Sequence, residues 1–376
     1  MPTLKVLIVG PSLVRTKGGM ATVINNILQH EGGQSKIEVK HIVSHVEGRP
    51  IEKLLVACKA LLSVLAQGRF DIMHIHVASD VSIFRKSLFV YLGVVLNKLI
   101  ILHIHGGDFD VYYNNSSSLV KFYIRKTLLK CHKILVLSDY WKSFFETCIL
   151  SSNVEVLHNG VQLNGLETCQ TAPYNLTNFL FLGRLSKAKG VYDLLQAIDI
   201  LVNQQDQRKL MFFLAGDGDL EQVKSIINQK GLDKNVHLLG WINDSEKEEW
   251  LRKVDTLVLP SYIEGLPMSI IEAMAAGKVI ISSRIGGIPD LIKEENGWLI
   301  NPGDVEGLCK HILYVSTHPE QVTTMSKCNA NKVDDQYNLK KINTRLFDIY
   351  ADLHSMKYPL ERVTLPAYEY DSQTTG

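Results

Sequence analysis

The residues best suited to chemistry lie in the second half of the chain. A strand-like run, Asn178 to Leu182, leads into Gly183-Arg184-Leu185-Ser186-Lys187-Ala188-Lys189-Gly190 and then into the helical pattern VYDLLQAIDIL. Cations on a loop at a strand's carboxyl end, followed by a helix N-terminus, suit a diphosphate: the side chains give charge-assisted hydrogen bonds and the helix N–H groups favour an anion. Farther on, VDTLVLPSYIEGLPMSIIEAMAAGKVIISS carries Glu264 and Glu272 eight positions apart, with Pro267 suited to the first helical turn. Eight helical residues rise about 12 Å, a span that fits a ligand with hydroxyls at both ends and phosphates between. A carboxylate at each end accepts from such hydroxyls. With Gly286-Gly287 after the next strand, the pattern predicts a sugar-nucleotide site.

The first half offers weaker signals. After VLIVG, the loop PSLVRTKGG ends in Gly18 and Gly19, which let a phosphate approach the backbone where a helix starts. The spacing is not G-x-G-x-x-G, and Glu38 falls early in the next strand rather than at its carboxyl end, so a nicotinamide-dinucleotide reading is weak. Two further strands end in histidine pairs, His74 with His76 and His103 with His105. Each pair projects to one face, and together they raise a zinc reading, though no carboxylate or cysteine ligand follows at a recognisable spacing. His105 stands apart because it opens a His-Gly-Gly-Asp loop where a substrate can lie against the imidazole. Asp108-Phe109-Asp110 and Asp217-Gly218-Asp219 match Asp-x-Asp, a pattern too short to outweigh two solvated loops; no metal site is expected.

Short apolar runs must position these residues. Eleven candidate strands, from Lys5–Val9 to Val279–Ser282, alternate with helical patterns, and their continuous apolar character fits parallel strands covered on both faces. The class is α/β. The chain has 376 residues, 46% of them hydrophobic and 21% charged, which excludes disordered and fibrous classes and suits two domains. The turn-rich stretch 164–177 is the expected linker. The expected divisions are a first domain over 1–168, a second over 169–337, a helix over 338–357 packing back on the first, and a tail over 358–376. Forty Lys and Arg against 39 Asp and Glu argue against a nucleic-acid binder. Residues 1–168 nevertheless hold 18 Lys and Arg against 12 Asp and Glu, a surplus of six that marks the first half as basic. Six scattered cysteines read as reduced thiols, no signal peptide or membrane span is recognisable, and a cytoplasmic protein is expected.

The chain resembles glycosyltransferase family 4, retaining enzymes of GT-B architecture, over roughly residues 5–350. The matching segments are FLGRLSKAKGVYDLLQAI, LAGDGDLE, VHLLGWI, PSYIEGLPMSIIEAMAAGKVIISSRIGGIPDLI and NGWLINPGD. The resemblance implies two Rossmann-like doubly wound parallel-sheet domains facing each other across a cleft. It implies transfer of a sugar, with retention, from a nucleotide-diphosphate donor to an acceptor hydroxyl, and no cofactor. It assigns the donor diphosphate to Arg184 and Lys189, the transferred sugar to Glu264 beside Gly265 and Leu266, the ribose to Glu272, the phosphate-side turn to Gly18 and Gly19, and the active-site histidine to His105. Ala188 stands where many members carry Glu, so only Lys189 is carried over there. Base recognition is expected of the backbone near Gly240 to Ile242. A same-fold epimerase or phosphorylase, a His-ligated zinc hydrolase and a noncatalytic donor-binding subunit are the alternatives.

The acceptor side is expected in the first half. Leu119 to Lys133 reads as an amphipathic helix bearing Lys121, Arg125 and Lys126, and Arg85-Lys86 precede an apolar stretch. Basic residues interleaved with Phe, Tyr and Leu suit an anionic membrane surface. The expected partners are a nucleotide sugar, a glycan or lipid-linked acceptor, and the inner face of a membrane through peripheral contact.

Overall fold

The computed structural model describes residues 3–16, 18–29, 37–79, 81–150, 153–163 and 176–357. Most of the expected linker, 164–175, and the tail lie outside these residues. The strands are β1 (Leu4–Pro11), β2 (Ile37–His45), β3 (Ile72–Val77), β4 (Leu99–Ile104), β5 (Lys133–Val136), β6 (Val154–Val156), β7 (Asn178–Leu182), β8 (Met211–Ala215), β9 (Val236–Gly240), β10 (Thr256–Leu259), β11 (Val279–Ser283) and β12 (Gly297–Ile300). They form two six-stranded sheets, ordered β2-β1-β3-β4-β5-β6 and β12-β11-β10-β7-β8-β9. All pairings are parallel.

Parallel pairing forces a crossover after each strand. The first half supplies α1 (Gly19–Leu28), α2 (Pro50–Ala66), α3 (Val81–Val95), α4 (Phe109–Asn115), α5 (Ser118–Leu128) and α6 (Asp139–Ile149). The second supplies α7 (Val191–Asp199), α8 (Leu220–Gln229), α9 (Asp244–Lys253), α10 (Met268–Ala275), α11 (Ile288–Leu291), α12 (Val305–Thr317), α13 (Pro319–Gln336) and α14 (Leu339–Lys357). Every residue of β3, β4 and β10 is buried, as the apolar runs require, whereas the edge strand β2 is only partly buried. The strand order reverses between β1 and β3 in one sheet and between β7 and β10 in the other. Ligands of doubly wound sheets bind beyond the carboxyl ends of strands at these reversals. In the second sheet that point falls between the basic loop after β7 and the Glu264 loop after β10.

Two local expectations need correction. β12 was not among the candidate strands: four residues opening on glycine, paired only to β11, carry little strand signal. The helix expected over 119–133 ends at Leu128, because His132 N–H already donates to Ile100 O and Lys133 opens β5, where it pairs with Glu155 at 2.7 Å.

α14 returns to the first sheet. Asn343 Nδ2 donates to Asn26 O at 3.2 Å, Arg345 pairs with Glu155 at 2.5 Å, and the Tyr350 hydroxyl lies 2.6 Å from His74 Nδ1. The two halves also meet along a seam. Trp141 Nε1 donates to Gly265 O at 3.3 Å, Asn159 Nδ2 to Leu266 O at 3.0 Å, and Tyr140 N–H to Asp290 at 2.9 Å. Among the described residues, no helix is long and apolar enough to cross a membrane.

Candidate active site

The basic loop and the Glu264 loop lock together. Tyr262 N–H donates to Ala188 O at 2.9 Å, so Ala188 ties the two loops through its backbone. Lys187–Lys189 form one 3-10 turn, closed by Gly190 at φ 72°. A Cβ on Gly190 would lie 1.9 Å from Pro260 O, so both its conformation and its contact with the exit of β10 require glycine. The turn brings Lys189 Nζ to 2.5 Å from Glu264 Oε1 and 3.3 Å from Ile263 O. Ser261 Oγ donates to the same carboxylate oxygen at 3.0 Å. Glu264 is 8% exposed, and with Oε1 held by two donors its Oε2 is the oxygen left for a ligand. Arg184 is exposed at the mouth of the loop and pairs with no acid among the described residues.

Glu272 sits in α10, and Lys247 of α9 reaches it at 2.7 Å while also pairing with Asp244 at 3.0 Å. Burial pushes the Glu272 carboxyl above its usual range, and Lys247 pulls against that rise. Gly265 and Leu266 accept from the first half through their carbonyls, as above, and Gly287 N–H donates to Gly265 O at 2.8 Å. Near Gly240, whose φ is 68°, Trp241 is 54% exposed on the same carboxyl edge.

Across the seam lies the His105 loop. A Cβ on Gly107 would stand 2.2 Å from the Glu264 carbonyl carbon, and one on Gly265 would stand 2.6 Å from His105 O, so the His-Gly-Gly and Glu-Gly backbones approach without side chains between them. Gly18 and Gly19 open α1 on the same side, with Gly19 facing the Met268 side chain.

His105 does not stand alone. Its Nε2 lies 2.8 Å from His76 Nδ1, and its ring stacks against His76 and His103 with centroids 5.0 and 4.2 Å away. His74 and His103 extend the column to Tyr350. Burial drives the His105 and His74 rings down to a pKa of about 3, so the column is neutral at physiological pH. Nitrogens of His74, His76 and His103 lie within 4.8 Å of one another. His74 Nδ1 is already engaged by the Tyr350 hydroxyl and His76 Nδ1 by His105 Nε2, so two of these rings have one nitrogen committed within the protein.

The remaining expected residues are placed as follows. Asp219 precedes α8 and accepts from the Tyr192 hydroxyl at 2.8 Å, while Asp217 O accepts from Leu185 N–H, so this Asp-x-Asp closes a turn. Asp110 accepts from the Tyr140 hydroxyl, and Asp108 precedes α4 without a side-chain cap bond. Lys121 is spent on Asn114 O at 2.8 Å, and Lys126 lies over the exposed Phe122 ring, with Arg125 exposed beside it. Arg85 is half-buried and Lys86 only 4% exposed, so the structure buries one member of a pair that the sequence suggested as surface. Ser261 and Lys247 were not expected. Ser261 sits three residues before Glu264 in a turn that sequence does not resolve, and Lys247 meets Glu272 only through the packing of two helices.

Two facing doubly wound domains with a diphosphate-type basic loop and a buried carboxylate at the seam define a GT-B glycosyltransferase. Residues 18–164 match the family model described as Glycosyltransferase Family 4 and residues 177–318 the model described as Glycosyl transferases group 1. The chain belongs to glycosyltransferase family 4. It is 27% identical over 313 residues to the UDP-Gal:α-D-GlcNAc-diphosphoundecaprenol α-1,3-galactosyltransferase of Escherichia coli, covering 78% of each chain. It is 27% identical over 277 residues to the amylovoran biosynthesis glycosyltransferase AmsK of Erwinia amylovora, covering 66% of this chain and 65% of the relative. Sucrose-phosphate synthase from Thermosynechococcus elongatus superposes with a TM-score of 0.76 at 16% identity, over 94% of this chain and all of that one.

Proposed function

We propose that the protein is a retaining glycosyltransferase that moves a sugar from a nucleotide-diphosphate sugar to an acceptor hydroxyl during assembly of a surface polysaccharide or related glycoconjugate. The observation that carries the reading is Glu264, its carboxylate held by Lys189 and Ser261 at a seam where the His105 loop touches its backbone. The relatives' names, a galactosyltransferase acting from UDP-Gal and an amylovoran biosynthesis enzyme, support the donor and the setting.

Arg184 and Lys189 meet the donor diphosphate, and their charge stabilises the negative charge growing on the leaving group. Lys189 exchanges part of its contact with Glu264 for phosphate, which frees the carboxylate to accept from the sugar. Glu272 receives the ribose hydroxyls, with Lys247 held against its carboxylate. The anomeric C–O bond to phosphate breaks with its electron pair on the diphosphate. The acceptor oxygen forms the new bond from the same face, and its proton passes to the departing phosphate oxygen. His105 meets the sugar as a neutral ring. His76 Nε2 has no partner, and an orphaned lone pair costs less than an orphaned N–H, so His76 donates from Nδ1 to His105 Nε2. His105 then offers Nδ1–H, a donor suited to a sugar hydroxyl or a phosphate oxygen.

The test is direct. The purified protein is screened against nucleotide sugars by thermal shift, since a ligand of the folded state raises the melting temperature, and the product's anomeric configuration is read by NMR. An inverted product would refute retention, and no shift with any nucleotide sugar would refute the donor.

A further inference from the structure

The column of imidazoles behind His105 holds more ring nitrogens than its hydrogen bonds use. His74 and His76 alternate along β3 and share a face. Across the parallel pairing of β3 with β4, His103 stands opposite His76, so the neighbouring strand supplies the third imidazole that no local spacing announces. All three side chains are buried, and their ring centroids lie 4.4 to 5.4 Å apart. His74 Nε2, His76 Nε2 and both nitrogens of His103 have no hydrogen-bond partner among the described residues. Buried polar atoms are ordinarily satisfied, and here four orphans sit in one cluster. One nitrogen from each ring lies within 4.8 Å of the others. Imidazoles on a tetrahedral zinc ion, each bound at about 2.0 Å, stand about 3.3 Å apart, so modest ring rotations close the cluster on an ion.

The surroundings suit ligation. A metal-bound histidine holds its other nitrogen in a hydrogen bond that fixes the ring. Two of the three already do: His74 Nδ1 meets the Tyr350 hydroxyl at 2.6 Å and His76 Nδ1 meets His105 Nε2 at 2.8 Å. Burial keeps the rings neutral, the form that binds metal. Lys86 presses on His76 as a charge, but burial brings Lys86 down to about 7, so it can shed its proton beside an ion. A way in exists on the side of α14. His103 lines a small cavity with Asn26 of α1, His158 and Gly160 after β6, and Asn343 and Leu346 of α14.

We infer that His74, His76 and His103 bind one zinc ion, with its fourth position left to water or hydroxide. Ligating through Nε2, His76 keeps its proton on Nδ1 and donates it to His105 Nε2, so the ion holds the active-site ring in one tautomer; only this consequence rests on the transferase reading. The full-length protein, dialysed against a chelator, is titrated with Zn²⁺ by calorimetry and with Co²⁺ in the visible range. One equivalent of each binds, Co²⁺ develops the absorption of a four-coordinate site, and X-ray absorption of the zinc form shows imidazole nitrogens at about 2.0 Å. Tyr350→Phe weakens zinc about 10- to 100-fold, the usual loss when the partner of a ligating histidine is removed. His103→Leu abolishes the site, and zinc raises the melting temperature of the wild type but not of this variant. Should His103→Leu fail to fold, the X-ray absorption of the wild type decides. Failure to bind one equivalent, a zinc ion ligated by carboxylate or sulfur, or a folded His103→Leu protein of unchanged affinity overturns the inference. Zinc binding without a thermal shift from any nucleotide sugar condemns the donor reading instead and leaves this site standing.

Discussion

The carboxyl edges of the two sheets treat charge in opposite ways. On the second, the two carboxylates hold cations, Glu264 with Lys189 at 2.5 Å and Glu272 with Lys247 at 2.7 Å, while the exposed Arg184 pairs with no acid among the described residues. On the first, Arg85 and Lys86 pair with no acid among the described residues, and the imidazoles of His74, His76, His103 and His105 lie ring against ring and neutral. Pairing keeps a charged site organised before its ligand arrives, and an arriving diphosphate can take over contacts already oriented. Lack of pairing leaves the cations of the first edge without such fixed contacts. The edge that carries Glu264 and Glu272 is therefore preorganised by its ion pairs, and the first edge is not.

The largest way to break this contrast is at Glu264 and Arg184. Arg184→Ala should lower nucleotide release by about 10²- to 10³-fold, the typical cost of one preorganised stabiliser of developing charge. Glu264→Gln should do at least as much, because it also leaves Lys189 without its carboxylate. Initial rates measured with saturating donor test both. Either variant retaining wild-type turnover would mean that the paired edge does not carry the chemistry.

Next comes Lys247→Met. Without Lys247, burial and the nearby Asp244 both act on Glu272, and its carboxyl rises further above the usual 4.5. A folded value above the unfolded one favours folding at low pH, and that advantage is lost as pH climbs through the folded value. The melting-temperature deficit of Lys247→Met against wild type should widen from pH 4.5 upward, and donor affinity at neutral pH should fall about tenfold. A deficit independent of pH would place the role of Lys247 in packing rather than in charge.

The stacked histidines predict the opposite slope. His74 and His105 lie near 3 in the fold, against 6.5 when unfolded. Their contribution is complete above pH 6.5 and drains as pH falls from there toward 3. Denaturant titrations at stepped pH should show acid sensitivity, and His103→Leu should flatten it between pH 6.5 and 4. Acid sensitivity unchanged in that variant would assign it to other groups.

Much of this was legible in the sequence, for reasons that differ by region. Apolar runs such as NFLFL and TLVL fixed their strands because burial on both faces leaves no other pattern. The basic loop and Glu264 were visible because each sits directly after such a strand. The partnership of Lys247 with Glu272 joins residues 25 positions apart through helix packing, which no local pattern records. Lys86 misled because an Arg-Lys pair reads as surface, while the turn of α3 points one member out and the other beneath β1 and β2. The histidine pairs were visible as two strand ends; that β3 and β4 are neighbours with His76 opposite His103 is a fact of topology.

The smallest expected effect separates exposed cations from buried ones. Arg125 and Lys126 on α5 are exposed beside Phe122 and Leu119, which are 57% and 77% exposed, so this face can touch an anionic membrane as a surface. Replacing either by Ala should change stability by less than about 0.5 kcal/mol. Binding to phosphatidylglycerol vesicles should weaken about fivefold per residue at low salt, the worth of one basic side chain near such a surface. That loss should vanish as ionic strength rises and the screening length shrinks. A loss that survives a salt titration would place Arg125 and Lys126 in a specific site rather than on a screened surface.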